Sequence, residues 1–421
     1  MTLPNYFMAD LPPEATLSAD MLQEACRTLR RNRLHYLQKR STQAMIETIS
    51  KLAREWLNPE FQFRKILLSR SDLSGFPART MEKGIDRFFS KITRENLLAL
   101  LEQDLGHPNK LDQFQMDFSP GKNSRRSFAR APELMFHFTA GNIPDPALFT
   151  VILGLLLRSA QFIKCASGGS FALRMFAHSL YEAEPKLASC IEIAEWKGGN
   201  LALEETVMAE ADLVTATGSD ETLHSIDQRI QPSSRFLGYG HRLSFGYIAA
   251  ESLGTETIAE LMPRVVDDIV AWNQLGCLSP HLFYIEAGGE ISAERFAEML
   301  ADALGKREEI EPRGTIALEE SSAIAYRRNF YEIRSASNPG TRLWQSTSST
   351  AWTVVFEDLS QFQTSSLNRF VYIKPVPDIN RALEAADSYR GKVSTVGLEA
   401  PDEKLQACAS TLSAWGVTRI C

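Results

Sequence analysis

A chain of 421 residues is too long for one simple core, so two or three domains are expected. Its 44% hydrophobic and 23% charged residues are ordinary for a globular protein. The net charge of −7, with no basic block interleaved with aromatics, argues against a nucleic-acid partner.

Six cysteines (Cys26, Cys165, Cys190, Cys277, Cys408, Cys421) are scattered, with no C-x-x-C pair and no histidine cluster beside them. Neither a disulfide framework nor a structural metal site is expected, and a reducing, cytoplasmic compartment fits. Met1 to Asn5 shows no basic region followed by an apolar core, so no signal peptide is expected. The longest apolar stretch, Ala147 to Leu157, is too short to span a bilayer and reads as a buried helix.

Residues 1–110 read as a helical region. Ser18 or Asp20 caps a start, and apolar residues recur at helical spacing from Met21 to Trp56. Arg30-Arg31-Asn32-Arg33 lies in this pattern and reads as a solvated face. Ser71 to Pro77 reads as a loop. Ala78 to Ile92 and Glu95 to Leu105 read as helices, the second capped by Thr93 and stopped by Gly106-His107-Pro108.

Gln113 to Phe118 alternates like a strand, Ser119 to Asn123 is a turn, and Ser127 to Arg130 pairs back. Such a hairpin is either an oligomerisation arm or a surface ribbon. From 132 to 250 strands and helices alternate, which predicts a mostly parallel, doubly wound sheet with ligands at the carboxyl ends of its strands. The strands are Leu134–Thr139, Gln161–Cys165, Ile191–Trp196, Leu213–Ala216, Arg235–Gly240 and Ser244–Ala249. From 251 the pattern continues with a helix from Ile258 to Ala271, a strand from His281 to Ile285 and a helix from Ser292 to Leu304. Ser335 to Ser349 reads as a polar loop. Strands at Trp352–Phe356 and Phe370–Ile373, and a further alternation to Ile420, complete the chain.

Four junctions carry candidate chemistry. Cys277 lies in a loop after Gly276 and before Pro280; it is either a packing residue or a thiol facing a cleft. Asn142, after Gly141 and before Ile143-Pro144, is either a turn residue or a side-chain amide for an oxyanion. Lys164, at a strand end, is either solvated or able to reach ribose hydroxyls and a phosphate. Ser167 three residues on is uncharged and leaves room for a 2′-phosphate. Gly218-Ser219 is either plain helix-start chemistry or a phosphate cradle.

The order of these segments resembles the aldehyde dehydrogenase superfamily and, within it, the LuxC-type acyl-CoA reductases. The carrying residues are Arg130-Ala131-Pro132, His137 to Pro144, Ala211 to Val214, Gly218 to Thr222, and Asn273-Gln274-Leu275-Gly276-Cys277. They spread over roughly residues 90–421. The resemblance implies an α/β, aldehyde dehydrogenase-like fold: a helical N-terminal region (1–110), a Rossmann-type dinucleotide-binding domain (111–250, with the hairpin near 113–130) and an α/β catalytic domain (251–421). It implies NADPH-dependent reduction of a fatty acyl-CoA or acyl-carrier thioester to the aldehyde. Cys277 would be the nucleophile, with Asn142 and the Cys277 backbone amide as oxyanion donors. Thr139, Gly141, Lys164, Ser167, Gly218 and Ser219 would hold the cofactor. A homo-oligomer and an acyl-transferring partner enzyme are further expectations.

Two departures bear on this reading. Arg235 to Gly240 contains no carboxylate, where hydrolytic relatives carry their water-activating glutamate. The chain also stops at Cys421, where relatives usually continue for some tens of residues. Glu357 matches the second glutamate of aldehyde dehydrogenases, which contacts the nicotinamide ribose. His281 is the nearest candidate to lower the pKa of Cys277. The competing functions are an NAD(P)-dependent aldehyde dehydrogenase and a catalytically idle acyl-transfer scaffold.

Overall fold

The computed structural model describes residues 3–12, 14–116 and 125–421. The chain forms two compact units, Met1–Ser74 with Met81–Gly240, and Gly75–Thr80 with His241–Cys421.

In the first unit the helix Ala19–Asn32 starts where Ser18 accepts the Met21 N–H. Its apolar face, Leu22, Cys26 and Leu29, is buried in one cluster with Phe136, Phe162 and Val214 of the sheet. The N-terminal helices therefore share a core with the sheet. The helical pattern from Met21 to Trp56 is interrupted. A wide turn, Arg33–Leu37, ends with the Gln38 N–H on Arg33 O, and Ser41 caps a new helix, Thr42–Leu57. Asp112 accepts both the backbone N–H and the hydroxyl of Thr42, which anchors that restart. Arg33, expected on a solvated face, is 5% exposed and donates to Arg158 O. The helix Gln62–Ser69 was not expected, because eight residues are too few to show a period. Thr93 caps Arg94–Leu105 as expected, and Gly106 ends it in the left-handed region.

Strand β1 (Gln115–Met116) pairs antiparallel with β2 (Arg126–Ser127). The turn expected at Ser119 to Asn123 lies outside the described residues. Strands β3 (Leu134–Phe138), β4 (Ala160–Cys165), β5 (Ile191–Glu195), β6 (Leu213–Thr217) and β7 (Arg235–Tyr239) form a parallel sheet of order β5-β4-β3-β6-β7. Its two faces follow the pleat. Leu134, Phe136, Ala160 and Phe162 meet the N-terminal helix, while Gln161 points the other way and donates to Val151 O of the helix Asp145–Leu156. The chain runs outward from β3 through β4 to β5, then returns to β6. That reversal leaves a crevice at the carboxyl ends of β3 and β6.

The second unit holds β8 (Leu243–Ile248), β9 (Leu282–Glu286), β10 (Thr341–Gln345), β11 (Thr353–Glu357), β12 (Phe370–Val376), β13 (Val393–Glu399) and β14 (Arg419–Ile420). Their order is β10-β11-β12-β9-β8-β13-β14, and β10–β11 is antiparallel. The helices Thr257–Val270 and Ala293–Ile310 bury one face; Ile379–Ala385, Asp402–Trp415 and part of Leu318–Ser337 bury the other. A Cβ on Gly246 would come within 2.1 Å of the Phe283 ring, so only glycine allows this packing. The segment Ser244–Ala249, read as continuing the first sheet, instead pairs as β8 with β9 and β13. The expected loop at Ser335–Ser349 is corrected too. It contains the end of the helix Leu318–Ser337 and the strand β10. That helix buries only Ile324, Arg328 and Tyr331, so it offers no apolar stripe to read.

Candidate active site

Cys277 sits on a backbone that folds against its own preference. After the helix Thr257–Val270, Trp272, Asn273 and Gln274 have φ of 49°, 52° and 66°. Left-handed backbone costs a non-glycine residue about 1–2 kcal/mol. A second run, Leu367, Asn368 and Arg369, has φ of 56°, 54° and 65°. The two runs lock each other. Gln274 Nε2 donates to Pro280 O (2.8 Å) and Phe370 O (2.9 Å), and its Oε1 accepts the Phe370 N–H (2.9 Å). Arg369 Nε donates to Asn273 Oδ1 (3.1 Å), and Asn273 Nδ2 donates to Arg313 O (3.0 Å). Gln274 is fully buried, so it acts as a staple of the loop.

The staple leaves Cys277 and Leu278 exposed, whereas Cys26, Cys165, Cys190 and Cys408 are buried. The packing alternative for Cys277 is thereby removed. The thiol lies in a recess: surrounding protein strips part of its hydration and raises its pKa, against the pull of its own backbone N–H, Arg419 and Arg242. His281 does not help. It is buried, its Nδ1 accepts the Ser365 N–H (3.0 Å), and burial first, then His241, pushes its pKa down to about 4. It is neutral near pH 7 and brings no charge to the thiol. Glu357 is tied to neighbours of its own. It is 3% exposed, with Arg334 Nε at 3.3 Å from Oε1 and Lys374 Nζ and the Tyr331 hydroxyl at 3.1 and 3.3 Å from Oε2. Its carboxylate is held inside the second unit.

In the first unit the other candidate residues follow β3, β4 and β6. The Thr139 N–H donates to Lys164 O (3.1 Å). Thr139 and Lys164 line a pocket of about 410 Å³ with Gly199, Glu204, Thr222 and Arg229. Lys164 is not solvated; it is 7% exposed, and burial lowers its pKa against the opposing fields of Glu204 and Glu195. Ser219 accepts the Thr222 N–H and caps Asp220–Asp227, and the Gly218 N–H donates to Tyr239 O. A Cβ on Gly141 would stand 3.0 Å from the Ala166 Cβ, and one on Gly169 would stand 3.2 Å from the Gly141 Cα. Gly141 therefore packs against the Ala166–Gly169 turn, where Ser167 is exposed. Asn142 is exposed in the bend that precedes the helix Asp145–Leu156.

Three residues here carry no sequence signal. Arg229 and Glu204 pair at 2.9 Å in the pocket, and Glu204 also accepts the Gly199 N–H. Glu195, at the end of β5, accepts the Gly168 N–H at 2.5 Å, so a carboxylate does stand beside the Ser167 turn. Only the pairing of β4 with β5 reveals it.

The family model for acyl-CoA reductase (LuxC) matches residues 37–421. The chain belongs to the LuxC acyl-CoA reductase family. A long-chain acyl-protein thioester reductase of Aliivibrio fischeri is 23% identical over 332 residues, covering 73% of this chain and 64% of its own length. Long-chain acyl-protein thioester reductase 2 of Photobacterium leiognathi is 24% identical over 337 residues, covering 78% and 65%. The chain thus spans just under two thirds of these curated relatives. Among solved structures, a putative aldehyde dehydrogenase PutA from Anabaena variabilis overlays 96% of this chain and 84% of its own, with a TM-score of 0.70 at 15% identity. An NADP-dependent glyceraldehyde-3-phosphate dehydrogenase from Bacillus halodurans C-125, solved with NADP, overlays 96% and 83% with a TM-score of 0.70 at 12% identity. The fold of this LuxC family member is therefore aldehyde dehydrogenase-like.

Proposed function

We propose that this LuxC family member is an NADPH-dependent acyl-thioester reductase that makes an aldehyde from a fatty acyl-CoA or an acyl-carrier thioester. The observation that carries the reading is the exposed Cys277 thiol on a loop stapled by Gln274. The Cys277 thiolate attacks the thioester carbonyl carbon. A new C–S bond forms, the old one breaks, and the carrier leaves as a thiol after taking a proton from water. The Asn142 amide and the Cys277 backbone N–H are the proposed donors to the oxyanion. Arg235 to Tyr239 supplies no carboxylate to activate water, which favours transfer of the acyl group over its hydrolysis. That segment is the exposed β7, with Leu237 48% exposed.

The first unit fits a dinucleotide on its own features: a crevice at the strand-order reversal, a close glycine turn at Gly141, a capped helix at Ser219 and a pocket beside Lys164. Thr139, Gly141 and Lys164 are proposed to hold the adenosine side with Ser167, and Gly218 and Ser219 to lie by the pyrophosphate. When bound, NADPH would supply hydride to the acyl carbonyl on Cys277. Cys277 would be the leaving group of the reduced acyl adduct: its C–S bond would break, the aldehyde would depart and the thiolate would be restored.

Intact-mass measurement tests the reading. Wild-type protein mixed with a long-chain acyl-CoA should gain one acyl group; Cys277→Ala should gain none while still binding NADPH. An Ala variant that reduced acyl-CoA at the wild-type rate would sink it. The β1–β2 arm is proposed as an oligomer contact, because Phe114, Met116 and Phe128 are 68%, 52% and 43% exposed on it. Phe114→Ser with Phe128→Ser should lower the mass seen by light scattering; an unchanged mass would reject the arm. A synthetase that hands over acyl groups is the proposed partner.

A further inference from the structure

The amino ends of β3 and β4 lie at the opposite edge of the first sheet from the crevice. There Arg33, Arg130 and Arg158 line a pocket of about 300 Å³ with Leu111, Phe128 and Leu157. The arginines come from three places in the chain: the wide turn after the helix Ala19–Asn32, the segment that leads from β2 into β3, and the joint between the helix Asp145–Leu156 and β4. Arg33 and Arg158 are each 5% exposed, so neither guanidinium is simply solvated. Arg33 Nε donates to Arg158 O (2.8 Å), and the Arg158 backbone there is left-handed, with φ of 60°. Arg158 Nη1 donates to Leu111 O (2.6 Å) and Nη2 to Thr42 Oγ1 (2.7 Å), and the side chain pairs with Asp112. Its Nε is buried without an acceptor among the described residues. So is Arg33 Nη1, which stands 3.8 Å from Glu133 Oε1. Arg130 is exposed and reaches the same Oε1 at 3.5 Å. Glu133 Oε2 is taken by Arg30 (3.2 Å), which also pairs with Asp212 (3.1 Å). In this network the guanidiniums of Arg30, Arg33, Arg130 and Arg158 meet the carboxylates of Asp112, Glu133 and Asp212, so positive charge is left over.

We propose that this pocket binds the phosphoryl group of a phosphate monoester. A guanidinium fork matches phosphate and carboxylate oxygens alike in one plane. Three forks arriving from three segments need acceptors in several directions, which a tetrahedral oxyanion has and a planar carboxylate lacks. A phosphate monoester, near two negative charges at neutral pH, also offsets the left-over charge more fully than a carboxylate. Bare phosphate would leave Leu111, Phe128 and Leu157 without a partner, so the ligand carries an apolar or aromatic body on its ester oxygen. The site is separate from the proposed cofactor crevice. β4, six residues long and so about 20 Å of strand, runs between the two. The assignment goes beyond the reductase reading and does not rest on it.

Isothermal titration calorimetry of the full chain tests the site, with phenyl phosphate, inorganic phosphate and acetate at one ionic strength set by sodium chloride. Phenyl phosphate should bind saturably and more tightly than inorganic phosphate, and acetate should not bind. Arg130→Gln removes an exposed guanidinium and leaves the buried pair in place, so the fold is kept. Its affinity for phenyl phosphate should fall about tenfold, the loss expected for one charge-assisted hydrogen bond. Arg130→Lys keeps the charge and should recover part of that loss. Binding that is unchanged in Arg130→Gln lies elsewhere, the cofactor crevice included, and overturns the site, as does the absence of binding by every probe. Acetate that binds as tightly as phosphate overturns the phosphoryl assignment. Inorganic phosphate that binds as tightly as phenyl phosphate overturns the monoester in favour of free phosphate.

Discussion

Lys164 is 7% exposed although lysine is among the residues least often buried. Its position follows from β4, which is buried along its whole length and carries the amino group into the pocket. Two carboxylates offset its charge there, Glu204 and Glu195. Glu195 sits against the turn that holds Ser167, so its charge opposes a 2′-phosphate at that turn. Glu195→Gln keeps an acceptor for the Gly168 N–H and removes the charge. The ratio of kcat/KM for NADPH over NADH should rise about tenfold, about 1.4 kcal/mol of discrimination. A ratio that stays put in steady-state assays with a fixed acyl-CoA would mean that the turn does not meet the 2′-position. Ser167 was legible as an uncharged residue after a strand-end lysine. Glu195 was not, because it joins that turn only through strand pairing.

The Cys277 loop is an element whose geometry comes from elsewhere in the chain. Left-handed backbone at Trp272, Asn273 and Gln274 has no local cause, since none of the three is glycine. It persists because Gln274 and Asn273 meet a second left-handed run nearly a hundred positions later. Gln274→Ala would leave the carbonyls of Pro280 and Phe370 buried without that partner, while the Phe370 N–H keeps Leu367 O. A loss of about 2–6 kcal/mol in urea unfolding is expected, at 1–3 kcal/mol for each of the two unsatisfied carbonyls. Acylation of Cys277 should fall further than stability alone explains, because the loop would relax. Full acylation with unchanged stability would remove the staple. The sequence shows Gln274 as a letter of a family motif. The motif does not say that the side chain bonds backbone and never reaches the surface.

The two units differ in how they meet acid. In the second, His281 has a folded-state pKa near 4, below its ordinary value of about 6.5. The unfolded chain therefore binds its proton first as pH falls. The stability tied to neutral His281 is complete above pH 6.5 and is lost progressively down to pH 4. In the first unit His137, also near 4 through burial, acts in the same direction and window. Glu192 acts oppositely. Burial raises it to about 7, so its contribution is complete below about 4.5 and is lost as pH rises through 7. Denaturant unfolding of His281→Asn between pH 7 and 4.5 should show a shallower loss of stability than wild type. Equal slopes would show that His281 takes up no extra proton on unfolding.

The alternation of strands and helices after residue 132, the caps at Ser18 and Thr93, and the family order of Asn142, Lys164, Gly218 and Cys277 were legible in the chain itself. Hydrophobic period, capping chemistry and motif order are local, and local physics writes them into adjacent residues. Tertiary structure alone decided that β8 belongs to the second sheet, that Lys164 is buried and Cys277 is not, and that Glu357 is locked to Lys374. Each of these depends on register between strands far apart in sequence. A one-residue shift in register would turn every side chain of a strand to the other face.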